Sequence, residues 1–261
     1  MSRLAATFDR IRASGHPGLV TYVTAGDPDL PRSADVLAAL DRGGADVLEV
    51  GVPFSDPLAD GPVIQRASER ALAAGTTLAR VLDLVRQVRQ RVLAPIVIFS
   101  YANPILRLGV GQFAETARMA GVDGVLILDL PIEEADDFRE VMRQRDIDTI
   151  FLLSPTTTDE RIRRAGALGS GFLYAISRLG VTGARDTLAD GAREMVARIR
   201  AVSALPVALG FGISKPDHVR EVSRWADAAV VGSALVNVIA DAGGSPDLTS
   251  RVEEYVRWLK S

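Results

Sequence analysis

Eight times along the chain a short run of β-branched and aliphatic residues gives way to a stretch with helical spacing of apolar positions, and no other feature limits the fold as tightly. The expected strands are 18–24, 46–51, 95–100, 124–128, 148–153, 171–176, 206–210 and 227–231. Helical patterns fall at 30–42, 78–91, 111–120, 132–145, 158–165, 192–202 and 216–224, and a last one closes the chain at 247–260. An amphipathic helix within 1–14 precedes the first strand. Short apolar strands that alternate with helices require a parallel sheet covered on its outer side. Eight such units in 261 residues predict an α/β fold, a TIM (β/α)8 barrel with one extra N-terminal helix. An open doubly wound sheet is the rival, but no G-x-G-x-x-G follows the first strand, and the glycine-rich turns stand after the last three. No Pro/Ser-rich linker, low-complexity run or block of like charge interrupts the pattern, so residues 1–261 are expected to form a single domain.

Composition narrows the chemistry. A net charge of -3 with scattered Lys and Arg gives no basic footprint for nucleic acid. Cysteine is absent, which removes disulfides and thiolate chemistry and fits a reducing compartment. No apolar run approaches the roughly 18 residues of a spanning helix, and residues 1–14 mix acid with Arg, unlike a signal peptide. A soluble, cytoplasmic protein without a membrane partner is expected. Only two histidines occur, His16 and His218, read as surface residues, so a metal site built from several His is excluded and no metal is expected. The two lysines, Lys215 and Lys260, lie outside the strands where an imine-forming amine could be desolvated. Trp225 and Trp258 are read as helix-packing residues. Acid/base work therefore falls to carboxylates and tyrosines.

Glu49 interrupts an otherwise apolar strand, where an unpaired charge costs several kcal/mol. It must find a partner, titrate upward or face a working cavity. In a barrel the strand C-termini and the loops after them form the active face. That face collects Tyr22 and Asp27, Glu49 and Asp60, Tyr101 and Asn103, Asp129, and Tyr174 from successive units. Taken alone, Asp60 before Gly61-Pro62 could be only a helix cap, Asp56 before Pro57 only a turn former, and Glu49 a structural partner of an Arg. Gly210 to Ser214 after the seventh strand, and Gly232, Ser233 and Ala234 opening an apolar helical run after the eighth, form the pattern with which barrels hold phosphate on free backbone N–H groups. The connection 177–190 reads as a lid, whose Thr182 and Gly183 could reach the same phosphate.

Together these motifs resemble one family, the α subunit of tryptophan synthase. The resemblance rests on TAGDP at 24–28, LEVGVPFSDPLADGPVIQ at 48–65, YANP at 101–104, DLP at 129–131, SPTTTDERI at 154–162, SRLGVTGAR at 177–185, GFGIS at 210–214 and GSALV at 232–236. It implies a cofactor-free TIM barrel that cleaves indole-3-glycerol phosphate to indole and glyceraldehyde 3-phosphate. It also implies a pyridoxal-phosphate β subunit as partner, in an α2β2 heterotetramer. Carried over by motif, Glu49 would be the general acid/base and Asp60 would face the indole N–H. Tyr174 would assist near the substrate, while Ile64, Phe99, Leu126 and Phe211 would form the indole slot with Tyr22 at its edge. Gly183, Gly212, Gly232 and Ser233 would hold the phosphate. Pro53, Asp56 and Pro57, with Asn103, Pro104, Pro131, Glu133 and Glu134, would meet the β subunit. Thr21 and Tyr22 depart from relatives that carry Pro and Phe there. A free-standing lyase, another phosphate-binding barrel enzyme and a non-catalytic regulatory subunit stay open as alternatives.

Overall fold

A computed structural model describes residues 1–176, 191–210 and 212–261. The elements run α1 (Arg3–Ser14), β1 (Gly18–Thr24), α2 (Leu30–Gly43), β2 (Val47–Gly51), α3 (Pro62–Ala73), α4 (Leu78–Val88), β3 (Ile96–Ser100), α5 (Ala102–Leu108), α6 (Val110–Ala120) and β4 (Gly124–Ile127). After a 3-10 turn at Ile132–Glu134 come α7 (Ala135–Arg143), β5 (Asp148–Leu153), α8 (Asp159–Leu168), β6 (Leu173–Ile176), α9 (Ala192–Arg200), β7 (Val207–Gly210), α10 (Pro216–Val222), β8 (Ala228–Val231), α11 (Ser233–Ala242) and α12 (Leu248–Leu259). Strands β1 to β8 close in sequence order into a parallel barrel, as the alternation predicts. Expected and observed strand limits agree within two residues, and β1 and β5 coincide. Two helices go beyond the sequence reading. On α3 the buried positions are Ile64, Ala67, Ser68 and Ala71, so small residues carry most of its apolar face. On α5, Pro104 stands in the first turn, where a missing N–H costs nothing, and only Ile105 is buried.

Period-two alternation sorts each strand into an outward and an inward set. Outward residues such as Leu48, Val50, Ile96, Ile98, Leu173 and Leu209 join the helices in the large outer core. Inward residues Val20, Val47, Val97, Leu126, Ile150, Ala208, Ala228 and Val230 pack with Phe172 in a second core inside the barrel. Helix α1 stops the N-terminal end of that core with Leu4, Phe8 and Ile11, spaced for one helix face, and Phe8 lies 5.2 Å from Phe172 between ring centroids. The filled lower half leaves the C-terminal end of the barrel as the place where polar side chains can point inward.

Three aspartates fasten the strand beginnings. Asp46, Asp123 and Asp227 each accept the backbone N–H of the preceding strand, from Leu19 at 2.9 Å, Ile96 at 2.8 Å and Val207 at 2.8 Å. Each also takes a cation, Lys260 for Asp46, Arg3 and Arg89 for Asp123, and Arg12 and Arg200 for Asp227. At the other end Asp27, buried after β1, holds Arg70 of α3 through two hydrogen bonds of 2.8 Å. That bidentate pair fixes α3 against the active face. No helix among the described residues is long and apolar enough to cross a membrane. His218 corrects its expected place at the surface: it is 5% exposed, and its Nδ1 accepts the Ser214 N–H at 3.4 Å. Trp225 packs partly buried against the outer core, whereas Trp258 is 47% exposed and lies against Tyr255.

Candidate active site

The inward set places Val47, Glu49 and Gly51 of β2 on the barrel's inner face. Glu49 stands in register with Tyr22 of β1 and Val97 of β3. It is completely buried, and neither carboxylate oxygen has a hydrogen-bond partner among the described residues. No arginine meets it among the described residues, which removes the structural ion pair. Burial pushes its carboxyl up to about 8, because the ion has lost water and gained nothing in return.

Asp60 follows in the loop that leads to α3 and is 7% exposed. It is not the helix cap, since Gly61 holds that position with no side-chain bond. Its Oδ2 instead accepts the Tyr101 hydroxyl at 3.2 Å, while the same phenol oxygen accepts the Ala59 N–H at 3.0 Å. Burial raises the Asp60 carboxyl to about 6, and the Tyr101 bond works against that rise. Tyr101 was legible as a face residue, but its role as the partner of Asp60 was not. That contact joins the loops after β2 and β3 and leaves no mark in either local sequence.

Aromatic and aliphatic side chains pack on the same inner face. Tyr22 and Phe99 meet edge to face at 5.1 Å, and both pack with Ile64 of α3. Leu126 is fully buried among the inner-core residues and forms the floor. Leu128, two residues further along the same inward face, packs partly buried against the same inner residues and was not among the expected site residues. Burial raises the phenol of Tyr174, and the charges of Glu49 and Tyr22 add to the rise. Tyr22 is raised for the same leading reason, burial, with Asp60 and Glu49 adding to it.

Two glycines make room for these rings. A Cβ on Gly51 would stand 2.2 Å from the Tyr22 hydroxyl, and one on Gly210 would stand 2.6 Å from that of Tyr174. Gly51→Ala should therefore displace Tyr22 and lower kcat/KM on the order of 10²-fold, the scale of a 1 Å misplacement at a reacting site. Kinetics of Gly51→Ala with and without Tyr22→Phe check this, because deleting the nearest atom should return part of the loss. Unchanged kinetics in Gly51→Ala would refute it.

On the neighbouring loops Gly212 has φ +76°, and Gly232 caps α11 with no side-chain bond to the first-turn N–H groups. Gly232 and the partly buried Ser233 thus open a helix whose N-terminus is available for an oxyanion. Thr182, Gly183 and Phe211 lie outside the described residues. Of the rim, Asp56, Asn103, Pro131, Glu133 and Glu134 are exposed, and Pro57 and Pro104 are half-buried. Pro53 is buried, unlike the other residues expected to meet the β subunit. Asp129 is exposed and accepts the Ala102 N–H at 2.7 Å, so it ties the loop after β4 to α5.

The profile of one family, described as tryptophan synthase alpha chain, matches residues 8–261. The chain is 45% identical over 260 residues to the tryptophan synthase alpha chain of Solibacter usitatus, covering 100% of this chain and 97% of that one. Tryptophan synthase subunit alpha from Legionella pneumophila shares its fold with a TM-score of 0.90 at 36% identity, over 100% of this chain and 97% of that one. A chain of the tryptophan synthase α2β2 complex from Pyrococcus furiosus gives a TM-score of 0.87 at 40% identity, over 94% and 97% of the two chains.

Proposed function

The chain belongs to the tryptophan synthase alpha chain family, and on that premise we propose that Glu49 and Asp60 carry the family's reaction in it. The protein is a lyase of tryptophan biosynthesis that cleaves indole-3-glycerol phosphate and releases indole for a β subunit. The observation that supports the residue roles is that two buried carboxyls both act on the Tyr22 phenol while their surroundings set them apart, one at about 8 and one at about 6.

Cleavage of the bond between indole C3 and the side chain needs an electron sink. The indole ring can serve as its own. Near pH 7 Glu49 is mainly protonated and gives its proton to C3, which turns the ring into an indolenine cation. Asp60 is mainly ionised and accepts the N1–H, so its charge opposes the positive charge developing there. Glu49, now a carboxylate, takes the proton of the side-chain hydroxyl. The C–O bond becomes a carbonyl, the C3–C bond breaks, and its electrons restore the neutral indole. Glyceraldehyde 3-phosphate leaves as the other product. Tyr22, Phe99, Ile64 and Leu126 would flank the ring, with Phe211 completing the slot and Tyr174 beside the reacting carbon. Gly212, Gly232 and Ser233 would hold the phosphate, joined by Thr182 and Gly183.

The partner would dock on the rim of the same mouth. Asp56, Pro57, Asn103, Pro104, Pro131, Glu133 and Glu134 lie at or near its surface, whereas the buried Pro53 would support the loop from beneath. Leu58 is 94% exposed beside them, an apolar side chain of the kind that anchors a protein interface. An α2β2 assembly is the arrangement we propose. Asp56→Ala and Leu58→Asp should each weaken β-subunit binding, Leu58→Asp by roughly 30-fold or more if it is an anchor. Titration calorimetry checks this, and wild-type affinity in both variants would refute the placement.

The assay that tests the whole reading is indole release from indole-3-glycerol phosphate, with and without a β subunit. Activity that rises on adding the partner supports an α subunit, and full activity alone supports a free-standing lyase. No indole in either case would overturn the roles of both carboxyls.

A further inference from the structure

The end of the barrel opposite the carboxyl pair carries a groove of about 480 Å3, bounded by the end of α1, one face of α9 and the turn between α10 and β8. Helical spacing puts Arg193, Val196, Ala197 and Arg200 on the α9 face that lines it. With Arg12 and Arg224 the lining holds, among the described residues, four arginines against one carboxylate, Asp227, in a chain whose net charge is -3.

That carboxylate is already committed to the fold. Asp227 accepts Nε of Arg12 at 2.7 Å and Nη2 of Arg200 at 3.1 Å, besides the Val207 N–H. Each of these arginines uses one nitrogen of a guanidinium that carries five N–H donors. Among the described residues, the side chains of Arg193 and Arg224 make no ion pair or hydrogen bond. Asp9 acts on Arg12 from the same helix but does not line the groove. Several unspent guanidinium forks in one concavity match the oxygens of a multiply charged phosphate better than those of a single carboxylate. Trp225, Ile11 and Val196 give the same groove an apolar wall, and its volume suits a ligand of nucleotide size.

We infer that this groove binds an organic polyphosphate, with Arg193 and Arg224 holding the phosphates, Arg12 and Arg200 assisting, and Trp225 receiving the attached ring. The site faces away from the acid pair, so it is distinct from the proposed substrate-phosphate cradle. Neither Arg193 nor Arg224 takes part in the proposed reaction.

The test uses the full chain carrying Trp258→Phe, which leaves Trp225 as the sole tryptophan reporter, titrated with ATP and with inorganic tripolyphosphate. ATP should change the Trp225 fluorescence saturably and bind more tightly than tripolyphosphate. Arg193→Gln/Arg224→Gln should lower ATP affinity on the order of 100-fold, since two charge-assisted contacts are removed. Circular dichroism and unaltered indole release would show that this variant is folded. No saturable change with ATP, or equal ATP affinity in the double variant, would overturn the site. Equal affinity for ATP and tripolyphosphate would overturn the organic ligand and the part given to Trp225.

Discussion

Glu49→Gln should stop indole release, lowering kcat by about 10²- to 10⁴-fold, while making the folded protein more stable at pH 8 than the wild type. Both effects have one cause. The carboxyl is fully buried with no partner among the described residues, so the folded state keeps its proton up to about 8, whereas the unfolded chain releases it near the ordinary value of 4.5. Below 4.5 both states are protonated and the site carries no penalty. As pH rises from there to about 8 the unfolded state sheds its proton and the folded state does not, so stability falls across that window and stays low above it. The full difference is a few kcal/mol at most. Glutamine keeps the shape and cannot ionise, so its advantage should grow between pH 5 and pH 8 and be absent at pH 4. Urea melts of both proteins across that range, beside single-turnover indole assays, check the two arms. A stability difference that does not change with pH would mean that Glu49 titrates normally and cannot be the acid.

The parts of the molecule that were readable in advance are those in which one local rule acts alone. Strand limits came from alternation and punctuating Gly, Pro and Asp, and β1 and β5 fall where that reading puts them. Glu49 was visible because a carboxylate inside an apolar strand is anomalous, and the barrel explains it by turning that position inward. Helix α3 escaped because Ala67, Ser68 and Ala71 supply a packing stripe with almost no hydrophobic signal. His218 was misplaced for a related reason, as a polar residue on a short helix is expected outside unless a distant backbone group, here the Ser214 N–H, meets it. The bond from Tyr101 to Asp60 spans two βα units, and only closure of the barrel reveals it. The same is true of the arginines that converge from α1, α9 and the turn before β8. Contacts of this kind belong to the topology, not to any window of sequence.

That bond from Tyr101 yields a second expected result, an activity profile whose acid side can be moved without touching either proposed acid. If Asp60 must be ionised and Glu49 protonated, kcat/KM should rise through about 6 and fall through about 8, a narrow bell bounded by the two groups. Asp60→Asn should abolish the acid limb and lower kcat on the order of 10²- to 10³-fold, the loss typical when one preorganised electrostatic contact is removed. Tyr101→Phe should act more finely. The phenol donates to Oδ2 and so favours the ionised carboxylate, which holds Asp60 below the value that burial alone would set. Without that donor the Asp60 carboxyl rises, and the acid limb should move toward neutral pH by up to about one unit while the alkaline limb stays in place. At pH 6 the variant should therefore lose several-fold more activity than at pH 7.5. Loss of the hydroxyl also frees the Ala59 N–H, so a crystal structure or amide exchange at Ala59 should separate a loosened loop from a shifted pKa. An activity loss equal at all pH values would assign Tyr101 to loop support, and an unchanged bell in Asp60→Asn would remove Asp60 from the reaction.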